Sequence, residues 1–213
     1  MKKTLVILCV TLCVMFSCTP KEDDSAITPQ TNKINGHEYV DLGLPSGLKW
    51  ATCNVGASSP EKYGYYFAWG ETSPKVEYTP ENSITYGEEM NDISGNPQYD
   101  AARANWGGSW RMPRKNEMEE LLAYCEWEWT QKNGVNGYKV IGRNGKSIFL
   151  PAAGYRGGSS LYNAESYGCY WSSTPDVGLN GYSAYGLDFA SDDFHFVNGY
   201  GLDVGLSLRP VTE

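Results

Sequence analysis

From residue 34 onward the apolar residues of this chain come in short runs, and glycine or proline interrupts most of them. The 213 residues include 24 glycines and 11 prolines. Both residue types break long regular elements, glycine through its backbone freedom and proline through its missing N–H. Long helices are therefore excluded over most of the length, and short strands joined by irregular loops remain. The composition is steady to the last residue, so one domain of about 180 residues is expected.

One stretch departs from that rule. "GGSWRMPRKNEMEELLAYC", residues 107–125, places Met118, Leu121, Leu122 and Cys125 at i, i+3, i+4 and i+7. That spacing is a single apolar stripe on a helix. Pro113 precedes it, where proline is tolerated. Glu117, Glu119 and Glu120 fall in the early turns, where the helix dipole favours negative charge. Trp110 is expected to plug the core at the helix entry, and Arg111 to form an ion pair, with Glu117 or a later acid, or to bind backbone carbonyls. A shorter helix is expected at "DAARANWG", residues 100–107, with Asp100 as N-cap and Gly107 as stop.

Strands are expected at 37–44, 49–55, 63–70, 169–174, 182–191, 193–198 and 205–211, all short and bounded by turn residues. "GYKVIGRNGKSIFLPA", residues 137–152, reads as a hairpin whose Asn144-Gly145 dipeptide suits a type I′ turn. The same stretch is not a phosphate-binding loop, because Val140 stands where the first glycine is required. Residues 71–98 form a long irregular connection holding three prolines, a length that is often functional.

The first 17 residues belong to export. "MKKTLVILCVTLCVMFSC" has two lysines, an apolar run too short to span a bilayer, and then small and polar residues. "MFSC" resembles a bacterial lipobox, with Cys18 as the lipidated first residue of the mature chain. Residues 18–33 are polar and read as a flexible tether. "KEDD" resembles an acidic export signal of surface lipoproteins in Bacteroidetes-type bacteria, and "DSA" at Asp24–Ala26 resembles their short O-glycosylation motif. An outer-membrane lipoprotein displayed at the cell surface is expected, with a periplasm-facing one as the alternative. Loss of Lys2 and Lys3 takes the net charge from −8 to −10, and no basic run exists. Nucleic acid and anionic lipid are therefore poor partners, and the lipid at Cys18 is the expected membrane contact.

Candidate chemistry is sparse. Cys53, Cys125 and Cys169 remain in the domain, an odd number whose pairing the sequence leaves open, and they lack the close spacing of zinc ligands. The two histidines, His37 and His195, fall in strand contexts, and no Gly-x-Ser-x-Gly elbow occurs. Asp188, Asp192 and Asp193 read as a turn or as oxygen ligands for calcium. Seven tryptophans and 16 tyrosines are the remaining feature. Those in glycine-rich stretches beside Asn, Asp and Arg suit recognition of a sugar or protein, since flat rings give contact area at low entropic cost.

"DLGLPSGLKWATCNVGASSPEKYGYYFAWGET", "WRMPRKNEMEELL", "YWSST" and "GLSLRPV" occur in that order. They resemble the motifs of a Bacteroidetes lipoprotein family related to the Fibrobacter-major-paralogous domain and to the C-terminal domain of Lcl-type adhesins. "WRMPRKNEMEELL" and "GLSLRPV" are more distantly similar to the helix entry and closing strand of formylglycine-generating (sulfatase-modifying) enzymes. The resemblance implies an α+β, C-type-lectin-like fold: small twisted antiparallel sheets, one or two flanking helices and long irregular loops. It implies that Trp110, Arg111, Pro113, Glu117, Trp171 and Arg209 mark the fold. The activity does not transfer, because the generating enzymes use a C-terminal cysteine pair and no cysteine follows Cys169. The Glu-Pro-Asn and Trp-Asn-Asp signatures of calcium-dependent lectins are also missing.

The expected function is a lipid-anchored envelope module that presents loops to a glycan or protein, without catalysis, cofactor or metal. The expected surface is Tyr155, Arg156, Tyr162, Asn163, Asp192, Asp193 and Tyr200. An oxidase or hydrolase on the same scaffold and a structural envelope lipoprotein are the alternatives.

Overall fold

The structure, a computed structural model, describes residues 32–179, 181–192 and 194–213. The expected signal, Cys18, most of the tether and Asp193 lie outside the described residues. The described residues fall in one compact unit.

Two strands open it, β1 (Lys33–Ile34) and β2 (His37–Asp41), followed by β3 (Lys49–Ala51). Helix α1 (Ala101–Trp106) and helix α2 (Lys115–Tyr124) come next. Then follow β4 (Cys125–Lys132), β5 (Val135–Gly142), β6 (Ser147–Pro151), β7 (Tyr155–Gly157) and β8 (Ser160–Tyr162). The chain ends with β9 (Tyr167–Pro175), β10 (Ser183–Ala190), β11 (Phe194–Gly201) and β12 (Val211–Thr212). The strands pair antiparallel in four small sheets, ordered β1-β2-β3-β12, β4-β5-β6, β7-β8 and β11-β10-β9. This is the expected mixture of small antiparallel sheets with two helices.

Local chemistry explains the helices. Asp100 accepts from the Arg103 N–H at 2.9 Å and caps α1, while Gly107 at φ 66 ends it. In α2 Met118 and Leu121 are fully buried, whereas Leu122 is half-buried. Cys125 is not the last member of the helical stripe. It leaves the helix at φ −115 and opens β4, a strand that local periodicity does not announce. Strand β4 alternates half-buried Trp127 and Trp129 with exposed Glu126 and Glu128. Its period of two sits directly after a helix, so the change of period hides the boundary.

Three Asn-Gly dipeptides form hairpin turns among the described residues, and they do not behave alike. Asn35-Gly36 (φ 48 and 81) and Asn133-Gly134 (φ 51 and 81) turn in the left-handed region between Ile34↔His37 and Lys132↔Val135. Those are the type I′ turns that match strand twist. Asn144-Gly145 does close a hairpin between β5 and β6, but only Gly145 takes a positive φ, 78. Gly145 N–H donates to the Gly142 carbonyl at 2.8 Å, giving a type I turn followed by a glycine bulge. Asn144 is held by its side chain, which donates to the Asp41 carbonyl at 2.9 Å.

Two expected strands dissolve into single bridges. Residues 63–70 contribute the bridge Phe67↔Leu206. Residues 205–211 touch Arg156, Phe67, Tyr170 and Arg111 in turn before β12 pairs Val211 with Trp50. This closing segment stitches several layers together. Trp69, Trp110 and Trp171 fill the first core, and their indole N–H groups donate to the carbonyls of Ser172, Ile34 and Phe67 at 2.7–2.9 Å. Trp50, Met118, Tyr138, Leu150 and Phe189 fill the second. A third, small cluster holds Tyr66, Tyr78 and Ala153.

The residues expected to mark the fold sit at these joints. Arg111 meets Glu117, and the Pro113 carbonyl accepts from the Ser173 N–H at 2.8 Å. Arg209 is buried and donates to Asn54 Oδ1 and to the carbonyls of Ala51, Thr52 and Phe149 at 2.8–3.1 Å. No carboxylate pairs with it among the described residues, so neutral oxygens carry the whole guanidinium.

Candidate functional site

The hairpin β7–β8 brings four of the expected site residues together. Tyr155 and Tyr162 are cross-strand partners, and their rings stack at 5.5 Å with 25° between planes. Tyr155 leans on the first core, while Tyr162 is 45% exposed beside exposed Leu161. The hairpin is clamped at both ends. Arg156 and Gly205 exchange backbone bonds of 2.8 and 2.9 Å, and Gly158 and Tyr78 exchange two of 2.8 Å. The Arg156 guanidinium lies over the Tyr66 ring, 5.3 Å from its centroid.

The loop after β8 is backbone-strained. Asn163 has φ 55, which asparagine tolerates, but Glu165 has φ 69, where a side chain of that size is unfavourable. Glu165 N–H donates to the Ala152 carbonyl at 2.7 Å, and Asn136 donates to the Glu165 carbonyl at 2.9 Å. Gly154 passes so close to the Tyr162 carbonyl that a Cβ would collide with it. Strain held by surrounding bonds often accompanies a binding surface. Tyr63 borders the same loop, and burial, then the charge of Glu165, pushes its hydroxyl pKa up.

The other expected site residues are elsewhere. Tyr200 is in β11, not a loop. Its flanking glycines, Gly199 and Gly201, pair within the strand opposite Tyr185 and Ser183. The ring packs edge-on to Trp171 at 6.0 Å. Tyr200 pairs with Ala184, whereas exposed Asp192 lies in the turn beyond Ala190↔Phe194. Six residues of strand separate them, about 20 Å. The expected surface is therefore divided.

Asp188 does not join Asp192 as a cation ligand either. Its carboxylate is buried and accepts hydrogen bonds from the hydroxyls of Tyr200 and of Tyr167 (3.0 Å). The Tyr200 hydroxyl oxygen also lies 3.5 Å from Cys169 Sγ. Burial pushes the Asp188 carboxyl up to about 6 and raises the Cys169 thiol as well. Sequence reasoning missed this cluster because its members, distant along the chain, meet only through the β9–β10–β11 register. No group of three or more His, Cys, Asp or Glu side chains could hold a metal ion among the described residues.

Cys53, Cys125 and Cys169 are free. His37 stacks on Trp106 at 3.7 Å, and burial lowers its pKa. His195 stacks on Trp127 at 5.1 Å. Open grooves lie away from the hairpin. One of about 430 Å³ runs over the β4–β6 face at Glu128, Lys139 and Thr52, and one of about 380 Å³ passes His37 and Cys53. Two more flank residues 89–91. No protein-family model, curated protein or solved structure matches this chain.

Proposed function

We propose that this chain is a lipid-anchored envelope protein whose C-type-lectin-like domain recognises a glycan or protein through the β7–β8 hairpin. The stacked pair Tyr155–Tyr162 carries the reading. Tyr155 backs one face of the Tyr162 ring, so the exposed ring is already ordered before a ligand arrives. An ordered platform loses little entropy on binding. Exposed Asn163 follows Tyr162 directly and supplies hydrogen-bonding groups, while Arg156 alternates to the other face of the hairpin over Tyr66. A ring with a neighbouring amide favours a sugar, whose apolar face stacks on the ring while its hydroxyls take the polar group. Lipidation at Cys18 and an outer-membrane location, surface-exposed before periplasm-facing, complete the proposal.

Glycan arrays and matrix-protein panels probed with residues 31–213 test it, beside a Tyr162→Ala variant. Binding that falls at least about tenfold in the variant supports the hairpin as the site. Equal binding by both, or turnover of a bound sugar or peptide by the wild type, sinks it.

A further inference from the structure

The loop of residues 84–92 and the segments 176–179 and 181–182 form one surface. Gly87 N–H donates to the Gly181 carbonyl at 2.8 Å, and the rings of Tyr86 and Tyr182 meet edge-on at 5.1 Å. Grooves of about 530 and 400 Å³ lie on either side of residues 89–91, which line both.

The chemistry of this surface is one-sided. Glu88, Glu89, Asp92 and Asp176 line the two grooves, and no Lys, Arg or His does. Asp92 is shared with Arg114 at 3.7 Å and accepts from the hydroxyls of Ser173 and Thr174. Glu88, Glu89 and Asp176 have no ion-pair partner among the described residues. The Asp176 carboxylate accepts from the Gly178 N–H and the Tyr185 hydroxyl.

The same loops expose apolar side chains. Ile84 is 64% exposed, Val177 84%, Leu179 55% and Tyr182 50%. They account for four of the nine large hydrophobic residues exposed in the described part of the chain. Such a concentration on two bonded loops marks an interaction surface rather than scattered exposure. Three unpaired carboxylates beside it set the sign of the partner.

We propose that this surface docks an extended cationic peptide segment of a partner protein, with Lys or Arg side chains on Glu88, Glu89 and Asp176. Aliphatic or aromatic residues of the segment cover Leu179, Val177 and Tyr182. The site is separate from the tyrosine hairpin, whose residues line neither groove.

Fluorescence anisotropy of the full chain with a labelled peptide of alternating Lys and Leu tests this. Three peptides accompany it: one with Glu for Lys, one with Ser for Leu, and one of Lys alone. The expected result is saturable binding of the Lys/Leu peptide, weakened by salt, and no binding of the Glu peptide. Glu88→Gln/Glu89→Gln/Asp176→Asn and, separately, Leu179→Ser/Tyr182→Ser each weaken it about tenfold or more, with unchanged thermal unfolding, while Tyr162→Ala leaves it intact. Absence of binding overturns the proposal, as does binding of the Lys-only or Lys/Ser peptide as tight as that of the Lys/Leu peptide, which is unselective charge attraction. A wild-type dimer that both groove variants dissociate, without peptide binding, overturns it in favour of a second copy of the chain.

Discussion

The guanidinium of Arg111 meets the carboxylate of Glu117 through two parallel bonds of 2.8 and 2.7 Å, with both side chains about nine-tenths buried. Glu117 also accepts from the Arg114 N–H at 2.7 Å and so caps α2, while exposed Glu213 adds a longer contact to Arg111 at 3.3 Å. Removing either partner of the buried pair leaves the other charge only a longer contact to an exposed side chain, Glu213 for Arg111 or Arg114 (3.7 Å) for Glu117. Glu117→Ala is expected to cost about 3–5 kcal/mol in urea unfolding. Two residues on, Glu119 is half-exposed and faces Lys115 at 3.7 Å. Glu119→Ala is expected to change stability by less than about 0.5 kcal/mol. Equal effects of the two substitutions would contradict the buried pair.

Arg209 offers a second test, because its acceptors are carbonyl and amide oxygens spread over two segments of chain. Only the planar fork reaches all of them. Arg209→Lys keeps the charge but leaves buried carbonyls unpaired, and a loss of about 2–3 kcal/mol is expected. Wild-type stability in that variant would show that the charge, and not the fork, matters.

Asp188 makes stability depend on pH. Its folded value, about 6, lies above the ordinary 3.8, because burial outweighs the hydrogen bonds from Tyr200, Tyr167 and Asn198. The native state therefore prefers the protonated form. The stability this group contributes is complete below about pH 3.8 and is lost as the pH rises through 6. The difference corresponds to roughly 3 kcal/mol. Asp188→Asn should therefore gain stability on the wild type between pH 4 and 7, measured by denaturant titration at each pH. A constant gap across that range would refute the assignment.

Tyr162 separates binding from folding. Its ring is 45% exposed and gains its order from Tyr155. Tyr162→Ala is expected to cost no more than about 1 kcal/mol, while ligand capture falls at least about tenfold. Trp110→Ala, by contrast, empties a fully buried site and breaks the bond to the Ile34 carbonyl. It is expected to cost about 3–5 kcal/mol. Calorimetric melts of both variants check the contrast, and a Trp110→Ala protein as stable as the wild type would remove Trp110 from the core.

Several elements are legible from the chain itself because their causes are local. Asp100 and Gly107 bracket α1 through bonds that span three or four residues. Met118 and Leu121 follow the helical period. Gly145 takes the positive φ its turn requires. The Tyr155, Arg156, Tyr162 and Asn163 grouping is likewise contained within nine consecutive residues, so its proximity was readable from sequence.

Tertiary structure decided what depends on distant partners. Asn144 is as good a type I′ residue as Asn35, yet the Asp41 carbonyl holds its side chain and the turn takes another form. Tyr200 lies between glycines that read as a loop, but β10 pairs with them and places the tyrosine hydroxyl on Asp188. Residues 63–70 have strand chemistry and find, among the described residues, a single ladder partner, Leu206. Periodicity and capping are properties of adjacent residues and survive in any context. Pairing, burial and the pKa of a carboxyl belong to neighbours far along the chain, and only the packed molecule specifies them.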